Sequence, residues 1–336
     1  MTDMLSQIRS LGDQLRWSAE IDPPAIGTHS DVLFAGMGGS GIAGDYAAAV
    51  ATPTGTRFSV LKGYGPLPPW VVRQRPLVVA ASYSGNTEET LDAAESAFEM
   101  GLPVAVVTTG GKLGETARLR GWPMIEVPSG YQPRAAAGYM IGATLRMLEG
   151  ARAVDEQVFS IAEAARIADE ALAEGSARWE EAMRIAERLA DRVTIVYGGG
   201  PVSSVVAQRW KTQINENAKM PAWWSTLPEL DHNEIVGWET LPEMTREKFA
   251  VVALTDRDDH PRIRSRLDHT SSLTSYAVPW AGEVASEGVS VLARLISLTV
   301  VGDLVSWMMA DAAGVDPVPV ETIEKLKKLL AEEKPE

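Results

Sequence analysis

Glu216 and His232 stand sixteen residues apart in "QINENAKMPAWWSTLPELDHNE" (213–234), with Lys219, Trp223 and Trp224 between them, in a chain that has only four histidines. A carboxylate and an imidazole are the side chains that most readily move protons near neutral pH. A second group of reactive types lies in "VVAASYSGNTEETL", where Ser82, Ser84 and Thr87 surround Gly85 at the end of an apolar run. Hydroxyls beside free backbone N–H groups at a helix start make a seat for a phosphate dianion, and the helix dipole favours the charge. Asn86 and Glu89 have a plainer reading, as residues that cap that helix.

One strand earlier, "GMGGSG" (Gly36–Gly41) offers Gly38, Gly39 and Ser40 for the same purpose. It also matches the dinucleotide fingerprint G-x-G-x-x-G, which needs an acidic residue about twenty positions on to hold a ribose. The stretch "TRFSVLKGYG" has none, and Arg57 and Lys62 would suit only a phosphorylated dinucleotide. No nucleotide-triphosphate loop of the form G-x-x-x-x-G-K-[ST] occurs. A phosphate monoester, with no cofactor, is the expectation.

These residues need a scaffold. From residue 31, short apolar runs alternate with helical stretches: "DVLFAGMGGSG", "PLVVAASYSGN", "LPVAVVTTGG" and "WPMIEVP". Continuous apolar strands each followed by a helix predict a parallel sheet covered on both faces, hence an α/β fold. Residues 151–190 read as Ala- and Glu-rich helix, a bridge between domains. At residue 191 the opening pattern returns in "DRVTIVYGGGPVSSVVAQRWKTQINENAK", followed by strand candidates in "FAVVALTDRDD" and "SLTSYAVPW". Two doubly wound, flavodoxin-like domains related by internal duplication are therefore expected, over 1–150 and 151–336, with extra helices at both termini. Ligands in such folds sit at the carboxyl ends of the strands.

Within this frame Glu216 ends the helix after "YGGG", about 80° around it from Val206, at the edge of the Val206, Trp210, Ile214 stripe. That is a half-sheltered position. Arg134, in "YQPRAAAGY", opens a helix, where a cation gains nothing from the dipole. Asp231 and Glu234 flank His232 and could orient its ring. Trp223 and Trp224 are expected to pack loop against domain rather than to stack on a sugar. In the second half "LTDRDD" puts Asp256, Asp258 and Asp259 where a phosphate would sit, so that half should have lost phosphate binding.

Composition narrows the partners. The 336 residues carry 31 Lys plus Arg against 45 Asp plus Glu, a formal charge of -14, which disfavours nucleic acid and anionic lipid. With no cysteine, disulfides, thiolate metal sites and a thiol nucleophile are excluded. The N-terminus has Leu5, Ile8, Leu11 and Leu15 at helical spacing rather than a signal-peptide core, and Arg294 and Asp303 interrupt the apolar stretch 289–313. A cytoplasmic protein outside any membrane, acting on a small molecule, is expected.

"GMGGSG" followed by "SYSGNTEET" resembles the SIS (sugar isomerase) phosphosugar-binding domain. Together with "QPRAAAGY", "NENAKMPAWWSTLPELDHNEIVGWE" and "LTDRDDHPRIRSRL", it resembles the bifunctional phosphoglucose/phosphomannose isomerase family over nearly the whole chain. The resemblance implies aldose–ketose isomerisation of glucose 6-phosphate, and of mannose 6-phosphate, to fructose 6-phosphate through a cis-enediol, without a metal. It implies Glu216 as the proton-transfer base, Arg134 as the cation stabilising enediolate charge, and His232 assisting ring opening from the neighbouring subunit of a homodimer. A lysine of the C-terminal helix would contact the ring oxygen; the I-x-x-L-K pattern fits Lys327, with Lys325 and Lys328 as close neighbours. SIS folds also serve as non-catalytic phosphosugar sensors, which would bind tightly without turnover; against that, no effector segment is visible. An NADP-dependent reductase would have to bind its cofactor.

Overall fold

The computed structural model describes residues 3–333; the outermost ends of the two expected domains, 1–2 and 334–336, lie outside them. The described chain opens with helices α1 (Met4–Arg9) and α2 (Leu11–Ala19). The first α/β unit follows as β1 (Asp31–Ala35), α3 (Gly38–Ala51), β2 (Arg57–Leu61), α4 (Trp70–Gln74), β3 (Leu77–Ser82), α5 (Glu88–Glu99), β4 (Val104–Thr108), α6 (Gly111–Arg120), β5 (Met124–Glu126) and α7 (Ala137–Gly150). Helices α8 (Val158–Leu172) and α9 (Ala177–Leu189) lead to the second unit: β6 (Val193–Gly198), α10 (Pro201–Gln213), β7 (Ala222–Thr226), α11 (Glu234–Gly237), α12 (Pro242–Lys248), β8 (Phe249–Thr255), α13 (Pro261–Thr274) and β9 (Trp280–Ala285). Two further helices follow, α14 (Val291–Ala312) and α15 (Glu321–Glu332).

Both sheets are wholly parallel. The first runs β2-β1-β3-β4-β5 and the second β7-β6-β8-β9, so strand order is the same through the first four strands of each, as duplication demands. Every residue of β1, β3 and β4 is buried, which only a sheet covered on both faces produces.

Sequence and structure part at the sheet edges. β2 and β7 are edge strands with half-exposed residues, so neither shows the continuous apolar run that marks a central strand. The stretch "SLTSYAVPW" is not a strand. Helix α13 continues through Thr274, Ala277 and Val278 pack into the core beyond it, and β9 begins only at Trp280.

The main hydrophobic core joins the two units, drawing on β1, α3 and α7 from the first and on α10, β6 and α14 from the second. Helix α14 runs through its centre. Its 22 residues are long and apolar enough to cross a membrane, yet 83% of its apolar stretch is buried inside the protein. Arg294 and Asp303 therefore do not disqualify it by composition, as the sequence suggested; they are buried as ion pairs. Asp303 meets Arg209 at 2.7 Å, and Arg294 meets Asp256 at 2.9 Å and Asp258 at 2.7 Å.

The N-terminal helices brace the short turn that carries Arg134. Ile8, Leu11 and Leu15 are buried as their spacing predicts. Gln14 Nε2 donates to the Ala135 carbonyl at 2.8 Å, and Gln14 Oε1 accepts from Gly138 N at 3.0 Å. Residues 133–135 form a 3-10 turn held between α2 and the start of α7.

Candidate active site

In the first unit the loops after β1 and β3 come together at the carboxyl edge of the sheet. Ser40 is buried, and its Oγ accepts from Tyr83 N at 3.0 Å, tying one loop to the other. The N–H groups of Gly38, Gly39 and Ser40 begin α3 and have no intrahelical acceptor. Around Gly85, Ser82 Oγ accepts from Gly85 N at 3.1 Å and shares a 2.8 Å hydrogen bond with Thr87 Oγ1, while Ser84 Oγ accepts from Asn86 N at 3.2 Å.

The N-cap of α5 is Thr87, and its side chain makes no capping bond. Asn86 does not cap this helix: its Oδ1 accepts from Lys112 N at 3.2 Å, joining the neighbouring loop instead. The start of α3 and the hydroxyl-rich turn before α5 are thus neighbours, tied through Ser40 and Tyr83, an arrangement suited to a phosphate dianion. Lys62 pairs with Asp45 and Arg57 with Asp31, so the two cations suited to a dinucleotide phosphate are already engaged.

Arg134 joins this loop to the second unit. A Cβ added at Gly39 would lie 2.8 Å from the Pro133 carbonyl oxygen and 3.4 Å from Arg134 Cα, so the glycine turn packs directly on the backbone that carries the arginine. Arg134 lies in the 3-10 turn rather than at the start of α7, and it is buried. Its Nε donates to Asn217 Oδ1 at 2.7 Å, its Nη2 donates to the carbonyls of Pro317 and Val318, and its Nη1 lies 3.5 Å from Glu216 Oε2. Burial lowers the pKa of the guanidinium from its ordinary value, and the Glu216 carboxylate opposes the shift.

Glu216 sits in a π-helical turn, Ile214–Ala218, that follows α10. π-turns of this kind recur at functional sites. Its side chain is 29% exposed, the half-sheltered position its spacing suggested. Lys219, in the left-handed conformation at φ 56°, closes the turn, and its ammonium donates to the carbonyls of Glu216, Pro317 and Pro319. Burial lowers its pKa, with the Arg134 charge adding to the effect. Residue type and spacing alone assign no role to Asn217 or Lys219. Their signal is only their place beside Glu216 in "NENAK".

His232 is elsewhere. It is exposed, in the short turn Glu229–His232 beyond the carboxyl end of β7, whereas Glu216 precedes the amino end of that strand. Five residues of extended chain hold the two apart by about 13 Å along the strand alone. Its flanking carboxylates serve other partners: Asp231 binds Arg266 at 2.8 Å and Thr270 at 2.7 Å, and Glu234 accepts from Tyr197 Oη at 2.6 Å. Trp223 and Trp224 lie on edge strand β7, 55% and 38% exposed, so they do not pack loop against domain within this chain. Helix α15 is exposed along its length; Lys327 lies on it, and Lys325 lies 3.9 Å from Glu321. Its root, however, is held at Arg134 through the carbonyls of residues 317 and 318.

The second unit has its own cavity, of about 310 Å³, at the carboxyl ends of its strands, lined by Gly198, Gly199, Leu227, Asp256, Asp259 and Ile263 among others. Its turn is already filled. Ser203 Oγ accepts from Gly199 N at 2.9 Å and Gly200 N at 3.0 Å, and a Cβ at Gly200 would lie 1.9 Å from Asp259 Oδ1. Asp256 and Asp258 both pair with Arg294, which leaves Asp259 as the carboxylate that stands over the start of α10. Burial raises its pKa, and the Asp256 carboxylate adds to the shift. Among the described residues no group of three His, Cys, Asp or Glu side chains gathers in metal-binding range.

Residues 178–330 match the family model described as the bacterial phospho-glucose isomerase C-terminal SIS domain. A bifunctional phosphoglucose/phosphomannose isomerase from Aquifex aeolicus is 37% identical over 337 residues, covering 98% of this chain and 99% of that protein. One of the same name from Caldicellulosiruptor bescii is 38% identical over 311 residues, covering 90% and 89%. A crystal structure of a hypothetical protein from Thermus thermophilus shares the fold at a TM-score of 0.74 and 17% identity, covering 98% of this chain and 90% of that one. With two SIS-type parallel-sheet units in one chain and this degree of identity from end to end, the chain belongs to the bifunctional phosphoglucose/phosphomannose isomerase family.

Proposed function

We propose that this protein interconverts glucose 6-phosphate, and also mannose 6-phosphate, with fructose 6-phosphate through a cis-enediolate. The observation that carries the reading is the Arg134–Glu216 pair standing directly beside the glycine turn of the first unit. Gly38, Gly39, Ser40, Ser82, Ser84 and Thr87 hold the 6-phosphate, and the sugar extends from them toward the second unit. Glu216 removes the proton from C2 of the open-chain aldose and returns it to C1, while the O1 and O2 hydroxyls exchange the other proton. Arg134, already buried, stabilises the negative charge that develops on those oxygens without reorganising water. In the free protein Glu216 faces Arg134 only at 3.5 Å, which leaves the carboxylate able to turn to substrate carbon.

In this reading 1–150 supplies the phosphate seat and Arg134, and 151–336 supplies Glu216 and the cyclic-sugar contacts. Ring opening falls to His232 of a second copy, since β7 holds the histidine of the same chain away from Glu216. The exposed tryptophans on the edge strand support a homodimer contact there. Lys327 on α15 is assigned to the ring oxygen. We read the protein as cytoplasmic, because phosphorylated sugars do not cross a bilayer unaided.

The test couples fructose 6-phosphate formation to a reporter, with glucose 6-phosphate and mannose 6-phosphate supplied separately. Glu216→Gln should lower turnover about 10²–10⁴-fold. Sugar-phosphate binding with no ketose formed by the wild type would reject the isomerase in favour of a sensor.

A further inference from the structure

Asn217 is fully buried, one residue beyond the proposed base. Its two amide atoms face different partners: Oδ1 accepts from Arg134 Nε at 2.7 Å, and Nδ2 donates to Ser306 Oγ at 2.9 Å. The orientation of the amide is set by its neighbours, because a guanidinium can only donate. Ser306, on α14, donates in turn to the Asp303 carbonyl at 2.8 Å. The backbone of the arginine is held from the same helix by another route. Arg209 Nη2 donates to the Arg134 carbonyl at 3.1 Å and to the Asp303 carboxylate at 2.7 Å, and Gln213 Nε2 donates to the other Asp303 oxygen at 2.9 Å.

The three nitrogens of Arg134 are therefore unequally committed. Nε is fixed by Asn217, and Nη2 is fixed by the carbonyls of Pro317 and Val318. Nη1 has longer contacts, 3.4 Å to Gln132 Oε1 and 3.5 Å to Glu216 Oε2. A planar guanidinium with two of its nitrogens anchored cannot rotate about its Nε–Cζ axis, so the direction of the third is determined. The π-turn makes this possible: consecutive residues 216 and 217 both reach one guanidinium, the carboxylate at its Nη1 side and the amide at its Nε.

We propose that Asn217 is a positioning residue for the isomerisation, which turns the Nη1 edge of Arg134 toward the enediolate oxygens, with Ser306 as its support. The inference rests on the reading of Arg134 as the enediolate-stabilising cation. It separates two effects. Substrate is held mainly by its phosphate, which Asn217 does not touch, so ground-state binding should be spared, while stabilisation of the charged intermediate should suffer.

The experiment compares wild type, Asn217→Leu, Ser306→Ala and Arg134→Lys for kcat, KM, inorganic phosphate binding and inhibition by a sugar-phosphate hydroxamate that mimics the enediolate. For Asn217→Leu, kcat and hydroxamate affinity should fall together by about 10-fold or more, as for loss of a hydrogen bond to a charged group, with KM and phosphate binding little changed. Ser306→Ala, which keeps the bond to Arg134 but frees the other end of the amide, should show the same pattern at about 3-fold. If Asn217→Leu does not fold, Ser306→Ala alone decides. Unchanged kcat and hydroxamate affinity in the folded variant, with Arg134→Lys impaired, would overturn the positioning role and leave the function standing. Full activity in Arg134→Lys as well would remove the role of Arg134 itself.

Discussion

Arg134 Nη1 lies 3.5 Å from Glu216 Oε2, an arginine from the first unit facing a carboxylate from the second across a buried seam. The pair is held by different means. The arginine is anchored by an amide and two carbonyls, the carboxylate only by its place in a π-turn. The fixed member suits charge stabilisation and the free member suits proton transfer.

The backbone under Arg134 rests on Gly39, and a methyl group there would press on the Pro133 carbonyl at 2.8 Å. Gly39→Ala should move the 3-10 turn and lower kcat, besides destabilising the fold by about 1–3 kcal/mol as overpacking does. Turnover and a denaturant melt on the same preparation check both effects. A variant equal to wild type in kcat would separate Arg134 from the phosphate loop.

Ser84 is exposed and offers its hydroxyl at the mouth of the Gly85 turn. Removing it should weaken a hydrogen bond to the dianion, so Ser84→Ala is expected to raise KM about 10-fold while kcat changes little. Inorganic phosphate should lose affinity as an inhibitor in parallel. A fall in kcat at unchanged KM would place the hydroxyl at the reacting end of the sugar instead.

Because β7 separates Glu216 from His232, the two are expected to serve different sites of a dimer. Glu216→Gln and His232→Ala should each be nearly inactive alone. Mixed after unfolding and refolding together in equal amounts, they should recover about a quarter of wild-type activity, since half the dimers are mixed and each of those has one intact site. No recovery would mean that both residues act within one chain.

Asp259 gives a pH signature. Burial raises its pKa in the folded protein, so between its unfolded and folded values the native state holds more protons. Its contribution to stability is then fully present below the unfolded value and is lost as pH rises through the folded one. Asn at this position keeps an acceptor for Asp256 N and has no charge to desolvate. Melting temperatures of Asp259→Asn and wild type should converge in acid and separate in the variant's favour as pH rises past the ordinary aspartate range. A constant difference across that range would show that Asp259 does not titrate with folding.

The central strands of both sheets were legible because a strand buried on both faces is written as an unbroken apolar run, as in β1 and β8. β2 and β7 were not, since an edge strand keeps one side in solvent and loses that signature. Of the candidate site, the hydroxyls, Arg134 and Glu216 stood out by type and motif. Their supports did not: Arg134 is held by the Pro317 carbonyl, 183 residues away, and a backbone oxygen leaves no mark in a sequence. Asn217 could be seen as a neighbour of Glu216, but its amide is held between Arg134, 83 residues earlier, and Ser306, which a helix far down the chain brings within 2.9 Å.

Helix α14 packs on α8, α9 and α10 and also reaches α1 and α3, so it is the common interior of both units. It is also synthesised after every strand of both sheets. Every strand of both sheets is present in the growing polypeptide before the helix that fills their common core. Where most two-unit chains settle one half at a time, this one is closed by a helix that arrives after both. A chain that stops short of Val291 would contain every strand of both sheets and lack the helix at their common core.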